Sequence, residues 1–115
     1  MISIQEAADP YGVPESCTLP TSERPLRVAE FDVLFRTAVT GQQRTAATVL
    51  ELSLTSEPEV AAAAAALAVR ESRCCGFFRF ALTVDPREVQ LTVRVPETHV
   101  GVLDAVAERV AAARA

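Results

Sequence analysis

The apolar positions of this chain switch between helical spacing and strict alternation. Val28, Phe31, Leu34, Phe35 and Ala38 recur at three-and-four intervals, which places them on one face of a helix. Thr21 or Ser22 stands where a cap is wanted, and Pro25 suits the first turn. The pattern predicts a helix from there to about Val39, stopped by Gly41. Thr45 to Leu54 then alternates. Ala46, Thr48, Leu50, Leu52 and Leu54 fall on one side, with Glu51 and Ser53 on the other. That is the signature of a half-buried strand.

Ser56-Glu57-Pro58-Glu59 reads as a helix start, with Ser56 as cap, Pro58 in the first turn and Glu59 completing a capping box. The helix should run through the alanines to Cys75, with Gly76 as a left-handed C-cap. Its stripe is Val60, Ala64, Leu67, Glu71, Cys74 and Cys75, apolar apart from one carboxylate. Phe77 to Val84 and Val89 to Val95 both alternate around the turn Asp85-Pro86-Arg87-Glu88, which predicts a β-hairpin. Phe78, Phe80, Leu82 and Val84 share one face of the first strand, and Val89, Leu91, Val93 and Val95 face inward from the second. After Pro96, Thr98 can cap a last helix whose Leu103, Val106 and Val110 face the core.

Upstream, Cys17-Thr18-Leu19 reads as a short first strand ended by Pro20. Residues 1–14, with two prolines and a glycine, read as a flexible N-terminal arm. The expected order is β-α-β-α-β-β-α over a single domain, residues 15–115. This is an α+β fold, a mainly antiparallel sheet with helices packed on one face.

Composition adds exclusions. At 115 residues, half of them hydrophobic, the chain can bury a core without metal or disulfide staples. The formal net charge is −4 and the arginines are scattered, which argues against a nucleic-acid grip or an anionic membrane surface. No stretch is long enough to span a bilayer. The N-terminus has neither a basic nor an apolar region of the kind secretory signals carry. The expected compartment is therefore the cytoplasm, where thiols stay reduced. One histidine and four glycines leave no nucleophile elbow and no phosphate loop, so no nucleotide cofactor is expected. The alanine run Ala61 to Ala66 permits close packing; together with the exposed side of the sheet it could support a homodimer.

The candidate chemistry lies in Glu71-Ser72-Arg73-Cys74-Cys75. Glu71 precedes the two cysteines by three and four residues, spacings that bring side chains together on one helix face. A helix C-terminus disfavours anions, and Glu71 adds to that, so thiols here should stay protonated unless a soft metal deprotonates them. Cys17 is the third thiol. With Cys74 and Cys75 it would make a trigonal site for a soft ion; Glu71 or His99 as a fourth ligand would make the site tetrahedral. Blander readings stand beside this one. The cysteines can be packing residues, Glu71 can pair with Arg36 or Arg79, Phe77, Phe78 and Phe80 can be core, and His99 can lie on the surface.

The run Glu71-Ser72-Arg73-Cys74-Cys75-Gly76-Phe77-Phe78-Arg79-Phe80, following Cys17-Thr18-Leu19, resembles a group of small bacterial proteins with a Glu-x-x-Cys-Cys-x-Phe motif. The likeness covers roughly residues 15–110. Gly76 replaces a common proline, and the N-terminal arm is extra. Some members resemble companions of mercury-resistance-type regulators. The resemblance thus implies heavy-metal handling at Cys17, Cys74 and Cys75, with Glu71 beside them.

The leading expectation is thiol-based binding of a soft heavy-metal or metalloid ion by Cys17, Cys74 and Cys75, for sequestration, delivery or sensing. The alternative is a small enzyme acting on an organic molecule, with Glu71 as general acid or base and a cysteine nucleophile. A third reading is a structural or dimerisation module with inert cysteines.

Overall fold

The computed structural model describes residues 24–115, with only the backbone described at residues 24–27 and at Cys74. The N-terminal arm and the strand expected at Cys17 to Leu19 lie outside the described residues. Helix α1 covers Arg24–Ala38 and strand β1 covers Val39–Ala46. Strand β2 is Val49–Leu54 and helix α2 is Pro58–Cys74. Strands β3, Arg79–Val84, and β4, Val89–Arg94, follow. A short 3-10 turn, Glu97–His99, leads into helix α3, Val100–Arg114.

The four strands form one antiparallel sheet in the order β1-β2-β4-β3. The fold is α+β, as the alternating apolar patterns require. Leu50, Leu52 and Leu54 of β2 and Val89, Leu91 and Val93 of β4 are buried, while their neighbours in sequence are less so. Since successive strand side chains point to opposite faces, one face of the sheet carries the core. The helices cover it with Val28, Phe31, Leu34 and Phe35 of α1, Ala64 and Leu67 of α2, and Val102, Leu103, Val106 and Val110 of α3.

The chain does not follow the expected order between α1 and β2. Residues 39–44, read from sequence as a helix end and a loop, form edge strand β1 together with Thr45 and Ala46; the single strand expected from Thr45 to Leu54 is broken by a turn at Ala47 and Thr48, so that β1 pairs with β2 as a hairpin. The reason lies in β1's inward positions. Gln42 pairs across from Leu52 and Arg44 from Leu50, so polar residues occupy the slots that alternation would fill with apolar ones. Both reach α3: Gln42 Nε2 donates to the Ala107 carbonyl at 3.2 Å, and Arg44 Nη2 donates to Asp104 Oδ1 at 2.7 Å. Arg44 also closes the hairpin turn, donating to the Ala47 carbonyl at 2.7 Å. Arg114 Nη2 holds the Thr40 carbonyl at 2.8 Å.

The ends of α2 also differ from expectation. Glu57, not Ser56, occupies the N-cap, and no side chain caps the helix. Glu57 Oε1 instead accepts from Thr55 Oγ1 at 3.2 Å. At the other end Cys75 is the C-cap, with a non-helical backbone at φ −125° and ψ 86°. Gly76 does not adopt the left-handed backbone, because the chain turns out of the helix one residue earlier. The hairpin β3–β4 forms as expected. Asp85 Oδ1 accepts from the backbone N–H groups of Arg87 at 2.7 Å and Glu88 at 2.9 Å, an arrangement aspartate favours in turns. The last helix begins at Val100, after His99 rather than Thr98. No described helix is long and apolar enough to cross a membrane.

Candidate functional site

The C-terminal end of α2 runs into the tight turn that starts β3. The Cys75 N–H donates to the Glu71 carbonyl at 2.8 Å, the last bond of the helical ladder. The Cys75 carbonyl in turn accepts from the Phe78 N–H at 3.1 Å. Arg79 Nη1 donates to the carbonyls of Gly76 at 2.8 Å and Phe78 at 3.2 Å. The Cys75 carbonyl, left without a helical partner at the C-terminus, and the turn carbonyls of Gly76 and Phe78 are thereby satisfied within a few residues.

Cys75 is fully buried and belongs to the hydrophobic core. It is disulfide-bonded. The sequence pointed to reduced thiols; at Cys75 the sulfur is instead oxidised. The chain has two other cysteines, Cys17 and Cys74. Cys17 and the side chain of Cys74 lie outside the described residues.

Glu71 sits one turn before Cys75 on the same helix face. At 8% exposure it is the only buried charged residue among the described residues, and it is not without a partner. It lines a cavity of about 30 Å³, whose other walls include Phe31 and Phe35 of α1, Phe78, and Phe80 of β3. Leu52, Leu91, Val93 and Val106 complete the described lining. The helix stripe noted in the sequence thus brings Glu71 to the edge of an aromatic pocket between sheet and helices, whose surface is apolar throughout.

The phenylalanines form a chain of ring contacts. Phe77 and Phe78 have centroids 4.7 Å apart, and Phe78 and Phe80 are 5.4 Å apart. The His99 ring stacks on Phe77 at 4.1 Å with planes 11° from parallel. His99 is half-buried, and its Nδ1 lies 3.0 Å from Thr98 Oγ1. His99 therefore stands beside the turn that follows Cys75, through Phe77. No group of three or more metal-ligating side chains occurs among the described residues, which do not include Cys17 or the Cys74 side chain.

Phe31 and Phe35 were legible in the sequence only as core, and Phe78 and Phe80 only as core and hairpin face. Their part in a cavity depends on three helices and three strands meeting, which no local spacing records. Fold and site together define a small α+β protein with a cysteine-bearing helix end beside an aromatic cavity. Compared with protein-family models, curated proteins and solved structures, the chain matches none.

Proposed function

We propose that the protein, once reduced, binds a soft heavy-metal or metalloid ion through cysteine thiolates, with Cys17, Cys74 and Cys75 as the ligand set. The observation that carries this reading is the disulfide at Cys75. A disulfide requires a second cysteine sulfur within bonding distance, so its reduction leaves two thiols side by side. Paired thiolates are the preferred ligands of thiophilic ions. Coordination drives off both protons, which overcomes the penalty that a helix C-terminus puts on a free thiolate. Glu71, one turn before Cys75, would serve as an outer-shell group or as acceptor of a departing proton. Such a site suits sequestration, delivery or sensing of the ion.

The test is native mass spectrometry of the reduced protein with Hg(II), Cd(II), Zn(II), Cu(I) and As(III), beside a Cys74→Ser/Cys75→Ser variant and the oxidised protein. Stoichiometric binding that survives competing thiol and appears only in the reduced wild type is the expected result. Equal binding by all three preparations, or binding by none, overturns the reading.

A second reading is favoured by the cavity at Glu71. A buried glutamate bordering an apolar pocket suits general acid–base chemistry on a small organic molecule, provided its carboxyl turns into the pocket. That reading requires one cysteine of the reduced protein to alkylate far faster than the others, and to slow in Glu71→Gln. Uniform alkylation unaffected by the substitution counts against it.

A further inference from the structure

We infer that the groove between α1 and α2 seats a second copy of this chain, with the two α2 helices packed antiparallel about a two-fold axis. The groove holds about 420 Å³. Val33 and Leu34 of α1 and Val60, Ala63, Ala66 and Leu67 of α2 make up the apolar part of its described lining, with Ala38. Val33 stands 47% exposed there. Charge lies at the two ends. Arg70 Nη2 donates to Glu30 Oε2 at 3.2 Å, which sets the C-terminal half of α2 beside the N-terminal half of α1. Glu59, at the start of α2, therefore marks the opposite end of the groove.

The charges select the occupant. Glu59, Ala63, Ala66 and Arg70 are all exposed and recur at helical spacing, so they form one line along α2. That line reads the same in both directions except for the sign of its ends. A two-fold contact sets the same patch of each copy against the other. Laid antiparallel about the middle of the line, Ala63 meets the second copy's Ala66, and Glu59 meets the second copy's Arg70. The two charges lie roughly 16 Å apart along the helix at 1.5 Å per residue, so both ends match at once. A parallel arrangement would set like charges together at each end and is disfavoured. Alanine at the centre lets the axes approach within the usual packing distance of about 8–10 Å. Glu59 has no ion-pair partner among the described residues. Arg70 and Glu30 each keep 47% of the side chain exposed, and a guanidinium with five donors can take a second carboxylate.

The experiment is sedimentation velocity of the full chain over a wide concentration range, with reductant present, beside Glu59→Arg, Arg70→Glu and an equimolar mixture of the two variants. The wild type should show a reversible monomer–dimer equilibrium. Each variant alone sets like charges together at both ends of the contact, and its dimer should weaken about tenfold or more. In the mixture every position 59 faces a position 70 of opposite sign, so the mixed dimer should recover close to wild-type strength. That recovery also shows that both variants are folded. Added salt should weaken the wild-type dimer, a readout that needs no variant. A wild type that stays monomeric throughout, including one whose groove is filled by residues 1–23 of the same chain, overturns the inference. So does a dimer that is lost on reduction, or one indifferent to both reversals. Failure of the thiol reading leaves the inference untouched, because the contact requires no cysteine.

Discussion

The imidazole of His99 lies flat on the ring of Phe77, centroids 4.1 Å apart. His99 belongs to the connection between β4 and α3, and Phe77 to the turn between α2 and β3. The stack therefore fastens two connections that the backbone ladders do not join. Aromatic pairs of this kind contribute about 0.5–1.5 kcal/mol beyond area burial. Phe77→Leu should lower unfolding free energy by about 1 kcal/mol, and His99→Ala by a similar amount. Because the two side chains share one contact, the double variant should cost less than the sum. Denaturant titration of the four proteins measures this, and strict additivity would show that the stack contributes nothing.

The disulfide at Cys75 predicts that the purified, unreduced chain is lighter by the two hydrogens of one disulfide. Proteolysis without reductant then identifies the partner. The size of the stability change on reduction gives an independent answer. Linkage to Cys17 closes a long loop, and its loss should cost about 2–4 kcal/mol. Linkage to the adjacent Cys74 closes almost no loop, and reduction should leave the denaturant midpoint nearly unchanged. A chain that carries three free thiols under air would remove the structural basis of the thiol reading.

Leu52 is fully buried at the centre of β2, and its side chain also faces the cavity. Leu52→Ala should cost about 2–5 kcal/mol. The substitution also enlarges the cavity. A loss below 1 kcal/mol would mean that the site collapses around the smaller side chain.

Arg79 and Arg94 stand directly across from one another on β3 and β4, both on the exposed face. Like charges in such a pair are destabilising, and replacing one by its opposite should gain roughly 0.2–1 kcal/mol. Arg94→Glu should raise the denaturant midpoint at low salt, and the gain should shrink as salt screens the pair. A gain independent of salt would point to strand propensity rather than charge.

Much of the fold could be read in the chain because most of its elements bury an apolar side. Leu50, Leu52 and Leu54 announce β2, Val89, Leu91 and Val93 announce β4, and Leu103, Val106 and Val110 announce α3. Strand β1 could not be read this way. Its inward Gln42 and Arg44 satisfy α3 by hydrogen bonds instead of burial, and its turn at Ala47 and Thr48 carries none of the residues that mark hairpins. The end of α2 misled for a different reason. Gly76 looked like a left-handed cap, but Phe78 binds back to the Cys75 carbonyl and draws the chain out of the helix sooner. Glu71 was visible as a carboxylate in an apolar stripe; the aromatic walls around it were not, because Phe31 and Phe80 come from elements far apart in sequence.

The last helix is stitched to the first described elements along its length. Asp104 holds Arg44, the Ala107 carbonyl holds Gln42, Arg109 grips Asp32 through both of its carboxylate oxygens, and Arg114 holds Thr40. Each tie spans some sixty to seventy-seven residues of chain. During synthesis, α1 and the β1–β2 hairpin leave the ribosome long before the segment that clasps them exists. Their apolar faces must wait, uncovered, until the final fifteen residues of α3 emerge. A chain truncated before Val100 would thus hold all four strands and no finished core, with apolar surface open to chaperones and proteases.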